Sequence, residues 1–473
     1  MANEKKSLKI NAVLNIMKQI CAIIFPLITF PYVSRTLGVD AYGKVNFSSS
    51  IVSYISLIAG LGVNSYAIRE GARVRDKKDE FEKFSNEVFS INIVSTFGAY
   101  IILAILILMW GKLQPYKGLV VILSINVLLT TLGTDWVNTI YEDFFYLTIR
   151  YIICQSIAVV TTLLLVKSPN DVALYAIFSN LGTILANTLN IFYIRKKLGI
   201  RLKFTFKMNI AKHFRPIMLL FGNMISSMIY LYSDTTMLGV MIGDAAVGYY
   251  TVSSKIYSLI KQLINAVSNV LIPRLSHDLE NDCSNKSVSN VNAVLGVLTI
   301  LVFPIVAGMV CMGKEIIYLI AGVEYSLAYS ALAILSIALI FSTYACIFVS
   351  VVMLAQRMDK EILIASGLSA FVNILLNAIL IPRFSYNAAA FTTLVSEIII
   401  LIMGVYYTRN TISVKIGKYF CVACLGIFEV IFVCFSVKQF IHDEILSLFV
   451  GIILCGICYG VTVIIAFFKR HCI

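Results

Sequence analysis

Charge is scarce in this chain. Only 13% of its 473 residues are Asp, Glu, Lys or Arg, about half the roughly 25% carried by soluble domains, so a water-soluble globular protein is excluded. Histidine is scarcer still: His213, His277, His442 and His471 are all there is, with no ligand spacing among them. A histidine-built metal centre is therefore not expected. There is no Gly-x-x-x-x-Gly-Lys-Ser/Thr loop and no Gly-x-Ser-x-Gly turn. Their absence removes the phosphate cradle of an ATP-driven pump and the nucleophile elbow of a hydrolase. Long polar stretches are also few. Ile68–Asn86 and Arg195–Lys212 are the longest, and the longest external connection, Gly313–Ala328, is itself largely apolar. An enzyme with a large extramembrane catalytic domain has no room here.

Cysteine is not scarce, at 11 residues. Cys421-x-x-Cys424 and Cys455-x-x-Cys458 imitate paired metal motifs but lie in adjacent apolar stretches at different depths. They are read as small apolar side chains, with no metal and no cofactor expected.

Apolar length is what the chain has in abundance. It is 59% hydrophobic, with a mean hydropathy of +0.89. Uncharged runs recur at Val88–Gly111, Val288–Gly313, Tyr325–Gln356, Ile362–Pro382 and Ile445–Phe468. Each reaches the roughly 20 residues that a membrane-crossing helix needs. A helix satisfies its own backbone in lipid, whereas barrel strands are about 10 residues of alternating polarity. Leu8–Tyr32 holds Asn11, Asn15 and Lys18 and lacks a small-x-small cleavage site, so it reads as a first span and not a signal peptide.

The pattern predicts an all-α polytopic membrane protein of 14 transmembrane helices. They are placed near 8–32, 45–67, 87–110, 117–137, 150–166, 172–194, 213–240, 247–272, 288–312, 329–354, 361–381, 387–407, 418–437 and 445–468. With the N-terminus inside, 27 of the 38 Lys and Arg fall in cytoplasmic segments, 8 in external loops and three within spans. This positive-inside bias predicts that both termini are cytoplasmic. It also explains the net charge of +13 as a topology signal, with anionic-lipid contact secondary and nucleic acid not a partner.

The two halves look related. Gly38-Val-Asp-Ala-Tyr-Gly43 and Gly243-Asp-Ala-Ala-Val-Gly248 stand at a constant offset of 205 residues. The offset also matches Ser48 and Ser49 with Ser253 and Ser254, Ile51 with Ile256, and Ser53 with Ser258. An even number of spans per half gives parallel repeats. The expected layout is a six-helix lobe over 1–200, a second over 201–411, and a terminal helix pair over 412–473.

Polar side chains recur at helical spacing inside the spans. The eighth carries Thr251, Lys255, Ser258, Gln262, Asn265 and Asn269 on one face, with Ser254 and Lys261 bordering it. The seventh carries Asn223, Ser227, Tyr230 and Asp234; the first carries Asn11, Asn15 and Lys18. The second carries Ser49, Ser53, Ser56 and Gly60, and the eleventh Ser366, Ala370, Asn373 and Asn377. Spacings of three and four hold each set to one arc. Two readings stay open: helix packing through small and amide residues, or the lining of a wet cavity. A lysine at mid-bilayer costs roughly 2.5–3.5 kcal/mol on insertion scales, which favours the cavity for Lys18, Lys255 and Lys261. Asp234 and Glu397 are buried acids able to pair with those lysines or to couple an ion gradient. Glu429 and Asp135 rank lower. Pro26 marks a hinge or a static bend in the first span.

Thr29-Phe-Pro-Tyr-Val-Ser-Arg-Thr-Leu-Gly-Val-Asp-Ala-Tyr-Gly43, continuing to Gly60-Leu-Gly-Val-Asn-Ser-Tyr-Ala-Ile-Arg-Glu70, resembles the opening of Wzx-type oligosaccharide flippases. These form the polysaccharide-transport branch of the MATE-like MOP superfamily. Ile272-Pro-Arg274 and Pro382-Arg-Phe-Ser-Tyr-Asn-Ala-Ala-Ala390 extend the likeness. The resemblance implies a MATE-like pair of pseudo-symmetric lobes opening alternately to each face of a bacterial plasma membrane. It implies a cargo of undecaprenyl-pyrophosphate-linked oligosaccharide for O-antigen or capsule, moved from the inner to the outer leaflet. The lipid bilayer, H+ or Na+, and polysaccharide polymerase machinery are the implied partners. Lys18, Lys255 and Lys261 are the candidate pyrophosphate ligands, and Arg35 matches the family pattern at the outer mouth. A lipid II-type flippase is near in chemistry. A MATE-like multidrug exporter would favour carboxylates over lysines in its cavity.

Overall fold

The computed structural model describes residues 8–206, 209–281 and 285–468. The side chains of Asn11, Asn15 and Asn223 lie outside the described residues. Regular structure among the described residues is helical throughout, with no strand.

The chain forms two compact units, Met1–Val240 and Met241–Ile473. In the first, α1 (Leu8–Gly60), α2 (Val63–Val74), α3 (Lys78–Met109), α4 (Lys117–Gly133), α5 (Asp135–Ile140), α6 (Phe144–Leu165), α7 (Val172–Tyr193) and α8 (Ile210–Met241) follow one another. In the second come α9 (Asp244–Asn281), α10 (Asn285–Cys311), α11 (Gly313–Ala321), α12 (Tyr329–Ile347), α13 (Asp359–Thr408), α14 (Gly417–Phe440) and α15 (Glu444–Phe468).

Ten helical segments among the described residues are long and apolar enough to cross a membrane. The number is eleven if Lys212–Gly222 and Ser227–Met241, which meet at a 53° bend, form one span. This count takes α1 and α13 as one segment each. At 1.5 Å per residue, the 53 residues of α1 would reach about 80 Å, far beyond the ~30 Å hydrocarbon layer. Both helices break. Gly38 interrupts α1 at φ 75°, ψ 177°, a region essentially reserved for glycine. Ser385 interrupts α13 at φ 52°, ψ −135°. Pro26 and Pro31 lie inside α1, whose non-helical torsions fall at Gly38. Gly243, the counterpart of Gly38 at the 205-residue offset, also takes positive φ, 134°. The repeated glycine motif therefore shares a backbone role in both halves.

A buried cluster forms in the first unit. Tyr66 of α2, Phe81 and Phe84 of α3, Trp136 and Ile140 of α5, and Ile217 of α8 pack together. At its edge His213, fully buried, hydrogen-bonds through Nε2 to Glu87 at 2.8 Å and through Nδ1 to the Tyr66 hydroxyl at 2.7 Å. The apolar cluster tolerates these polar atoms because each finds a partner.

In the second unit, Tyr459 of α15 donates to Ile300 O at 2.9 Å, and Asn292 holds the stretch before α14 through Ser413 O and Lys415 N. Thr462 donates to Glu429 Oε1 at 2.6 Å, so this acid bonds within the α14–α15 pair.

Candidate functional site

Lys255 and Lys261 are six residues apart on α9. At 100° per residue they lie some 120° apart around the helix, and the structure sends them to different surroundings. Lys261 turns into the packing with α13. Its Nζ is 2.6 Å from Glu397 Oε1 and 3.3 Å from the Tyr257 hydroxyl, which itself donates to Glu397 Oε1 at 2.9 Å. Glu397 is 2% exposed. A lone carboxylate there would carry a desolvation cost of several kcal/mol, which an ammonium and a phenol offset together.

The rest of the stripe stays accessible. Lys255 is half-buried, Ser258 and Gln262 are exposed, and Asn265 is half-buried. One ammonium, one hydroxyl and two amides thus share a strip that offers donors and acceptors to a polar ligand. One turn toward the helix start, Thr251 is buried and its Oγ1 makes no hydrogen bond.

The remaining expected residues separate by environment. Asn373 and Asn377 are 1% and 0% exposed. Asn377 Nδ2 donates to Asn373 Oδ1 at 3.1 Å, and Thr392 donates to Asn377 Oδ1 at 2.6 Å. The first bond lies within one leg of α13, and the second joins the two legs across Ser385. Lys18 is half-buried, with its Nζ 5.7 Å from the Tyr151 ring centroid on α6, a cation–π distance. Arg35 is exposed three residues before the Gly38 break, and Tyr230 is half-buried on α8. Asp234 is buried at 4% exposure. Pro26 is exposed.

The first unit also contains a polar cavity that sequence reasoning missed. Its volume is about 330 Å³, and Ser56, Asn64, Asn92, Thr130, Thr131 and Asp135 are among its lining. Arg150, 6% exposed, places Nη2 2.8 Å from both Asp135 oxygens. Asn190 donates to Asp135 Oδ1 and to Asn138 Oδ1. Thr134, buried between α4 and α5, sits at φ 47°, ψ 47°, a strained conformation for a β-branched residue. In one dimension Asp135 looks like an interfacial acid and Arg150 like a loop cation. Only Ser56 and Gly60 of this lining belonged to a recognisable stripe.

A different cavity, about 340 Å³, lies in the second unit among α10, α11, α14 and α15. Leu301, Ile305, Met309, Leu448 and Ile452 contribute to an almost wholly apolar wall. It suits a hydrocarbon chain and offers nothing to a charged group.

The family model described as polysaccharide biosynthesis protein matches residues 8–278, more than half of the sequence. The chain belongs to this family. It is 26% identical over 310 residues to a putative O-antigen transporter of Shigella dysenteriae, covering 64% of this chain and 76% of that one. It is 23% identical over 421 residues to a putative O-antigen transporter of Escherichia coli K12, covering 87% and 99%. Among solved structures, the lipid II flippase MurJ in an inward closed conformation superposes with a TM-score of 0.72 at 18% identity, over 98% of this chain and 99% of that one. An inward-facing MATE family multidrug transporter of the MOP superfamily follows at 0.64 and 14% identity, over 82% and 93%. At such identities these two likenesses establish the MurJ- and MATE-like helical fold and nothing about cargo.

Proposed function

We propose that this protein is a Wzx-type flippase. It moves undecaprenyl-pyrophosphate-linked oligosaccharide repeat units from the inner to the outer leaflet of a bacterial plasma membrane, by alternating access coupled to an H+ or Na+ gradient. Its relatives named as O-antigen transporters and flippases support the transport class. The single observation that carries the chemistry is the accessible strip of Lys255, Ser258, Gln262 and Asn265 on α9. Lys255 receives the pyrophosphate, with Lys18 and Arg35 as further cations on its route, while hydroxyls and amides receive sugar hydroxyls. The polyprenyl tail stays in hydrocarbon or in the apolar cavity beside α15, so the charged head alone needs a polar path.

In this reading α1 and α13 each count as two spans divided at Gly38 and Ser385, the bent α8 as one and α9 as one, which gives fourteen. Residues 1–200 and 201–411 form the lobes and 412–473 the terminal pair, with both termini cytoplasmic and Pro26 as a hinge. Asp234 and Glu397 are the coupling candidates, and polysaccharide polymerase machinery takes the delivered unit.

The discriminating experiment is ligand-dependent stabilisation of the purified protein. An undecaprenyl-pyrophosphate-linked oligosaccharide should raise its melting temperature well above lipid II or a cationic drug at equal concentration. A larger rise with lipid II would reassign the cargo to a peptidoglycan precursor, and a rise with the drug alone to an exporter.

A further inference from the structure

A second cavity in the first unit is built unlike the polar one. It has a volume of about 440 Å³ and lies between α6 and the end of α7. One wall is apolar: Ile149 and Ile153 of α6 and Phe192 of α7 line it, and they are 40%, 53% and 59% exposed. Large apolar side chains with such exposure in a membrane protein face acyl chains. Arg150, Lys196 and Lys197 border the other end.

Local structure explains how the cations gather. After Tyr193 the helix continues as a π-turn, Ile194–Leu198, which widens the backbone. Lys196 and Lys197 are exposed there, and neither forms an ion pair among the described residues. Cations also complement a helix C-terminus and mark an inner membrane face, but neither account requires a cavity or a buried guanidinium. Arg150 supplies both. It is 6% exposed, and only its Nη2 is spent on Asp135. Its Nε and Nη1 make no hydrogen bond, and its guanidinium carbon stands 5.2 Å from the Tyr146 ring centroid. Tyr146 in turn stacks on Tyr193, with ring centroids 3.5 Å apart. The nearby Asp143 accepts a hydrogen bond from the Tyr193 hydroxyl.

We infer that this cavity holds one anionic phospholipid of the leaflet at which α7 ends, with an acyl chain along Ile149, Ile153 and Phe192 and its phosphate at Lys196, Lys197 and Arg150. An apolar trough bordered by cations matches a lipid with a net negative head: a zwitterionic lipid brings an ammonium that the lysines repel, and a free anion lacks the acyl contacts. The site shares no residue with the α9 strip and does not depend on the cargo assigned there.

Native mass spectrometry of the full chain tests this, with titration by dioleoyl-phosphatidylglycerol and by dioleoyl-phosphatidylethanolamine. The expected result is one retained phosphatidylglycerol, bound at least tenfold more tightly than phosphatidylethanolamine and not displaced by millimolar inorganic phosphate. Lys196→Ala/Lys197→Ala should weaken it about tenfold or more. Ile153→Trp, which fills the apolar wall at an exposed position without altering charge, should do the same. Lys77→Ala/Lys78→Ala removes equal charge elsewhere and should leave binding unchanged. Equal affinity for the two lipids, equal loss in the Lys77/Lys78 variant, or displacement by phosphate would each overturn the assignment.

Discussion

Lys261 and Glu397 stand 136 residues apart in sequence and meet at 2.6 Å, on α9 and α13 of the second unit. The pair puts the two lysines of α9 in different surroundings. Lys261 neutralises a buried acid, and Lys255 remains on the accessible strip. Removing one member leaves the other charged and buried, which costs about 3–5 kcal/mol in comparable buried pairs. Lys261→Ala should therefore destabilise the protein in detergent by about that amount. Lys261→Met/Glu397→Leu should recover most of the loss in the same denaturation assay. If the double variant is as unstable as the single one, the ion pair is not what Lys261 contributes.

Glu397 and Asp234 are the buried acids assigned to gradient coupling. Glu397→Gln keeps the shape and one acceptor oxygen while removing the charge. Transport driven by an imposed H+ or Na+ gradient should fall several-fold in Glu397→Gln or Asp234→Asn, with downhill exchange retained. Gradient-driven rates equal to wild type in both variants would remove the two acids from the coupling scheme.

Gly38 supplies a torsion that side-chain-bearing residues adopt only at a cost of about 1–3 kcal/mol. Gly38→Ala should lower thermal stability by that order. Ser385 already sits at φ 52°, so Ser385→Gly relieves strain and should cost nothing despite the added freedom of the unfolded chain. Thermal unfolding of the two variants side by side gives the comparison, with a loss expected for Gly38→Ala and none for Ser385→Gly.

Asp171, in the turn before α7, accepts hydrogen bonds from Lys167 N at 2.9 Å, Ser168 N at 2.8 Å and Ser168 Oγ at 3.0 Å. These bonds, the Lys167 amide first, hold its carboxyl below the ordinary value of 3.8. A depressed folded-state value means that the turn's contribution is complete above pH 3.8 and is lost as pH falls through the lowered value. The protection factors of the Lys167 and Ser168 amides should stay high at pH 5 and fall only below the ordinary carboxylate range. Asp171→Asn should show low protection at both. Unchanged protection in the Asn variant would mean that the carboxylate does not hold the turn.

The membrane class was legible because it follows from apolar length, which is a local property. The Gly38 and Gly243 turns were legible because glycine repeated at one offset signals a backbone need. The span count was less so: length and composition find ten or eleven segments, since helices that turn back at one residue read as continuous. Site geometry was least legible. Periodicity put Lys261 at the border of the strip, but only packing against Glu397 shows where its charge goes. Asn373 and Asn377 have a cavity-like spacing and are buried, bonded to each other and to Thr392. Asp135 and Arg150 give no periodic signal, because their pairing depends on how α5 and α6 fold together.

The most direct test of the central claim is translocation in proteoliposomes. The purified protein would be given an undecaprenyl-pyrophosphate-linked oligosaccharide, with delivery to the opposite leaflet read by an impermeant glycan-modifying enzyme. The account predicts gradient-stimulated translocation by wild type, a loss of about tenfold or more in Lys255→Ala, and substantial recovery in Lys255→Arg. Wild-type rates in Lys255→Ala, or no translocation by wild type above protein-free vesicles, would contradict it.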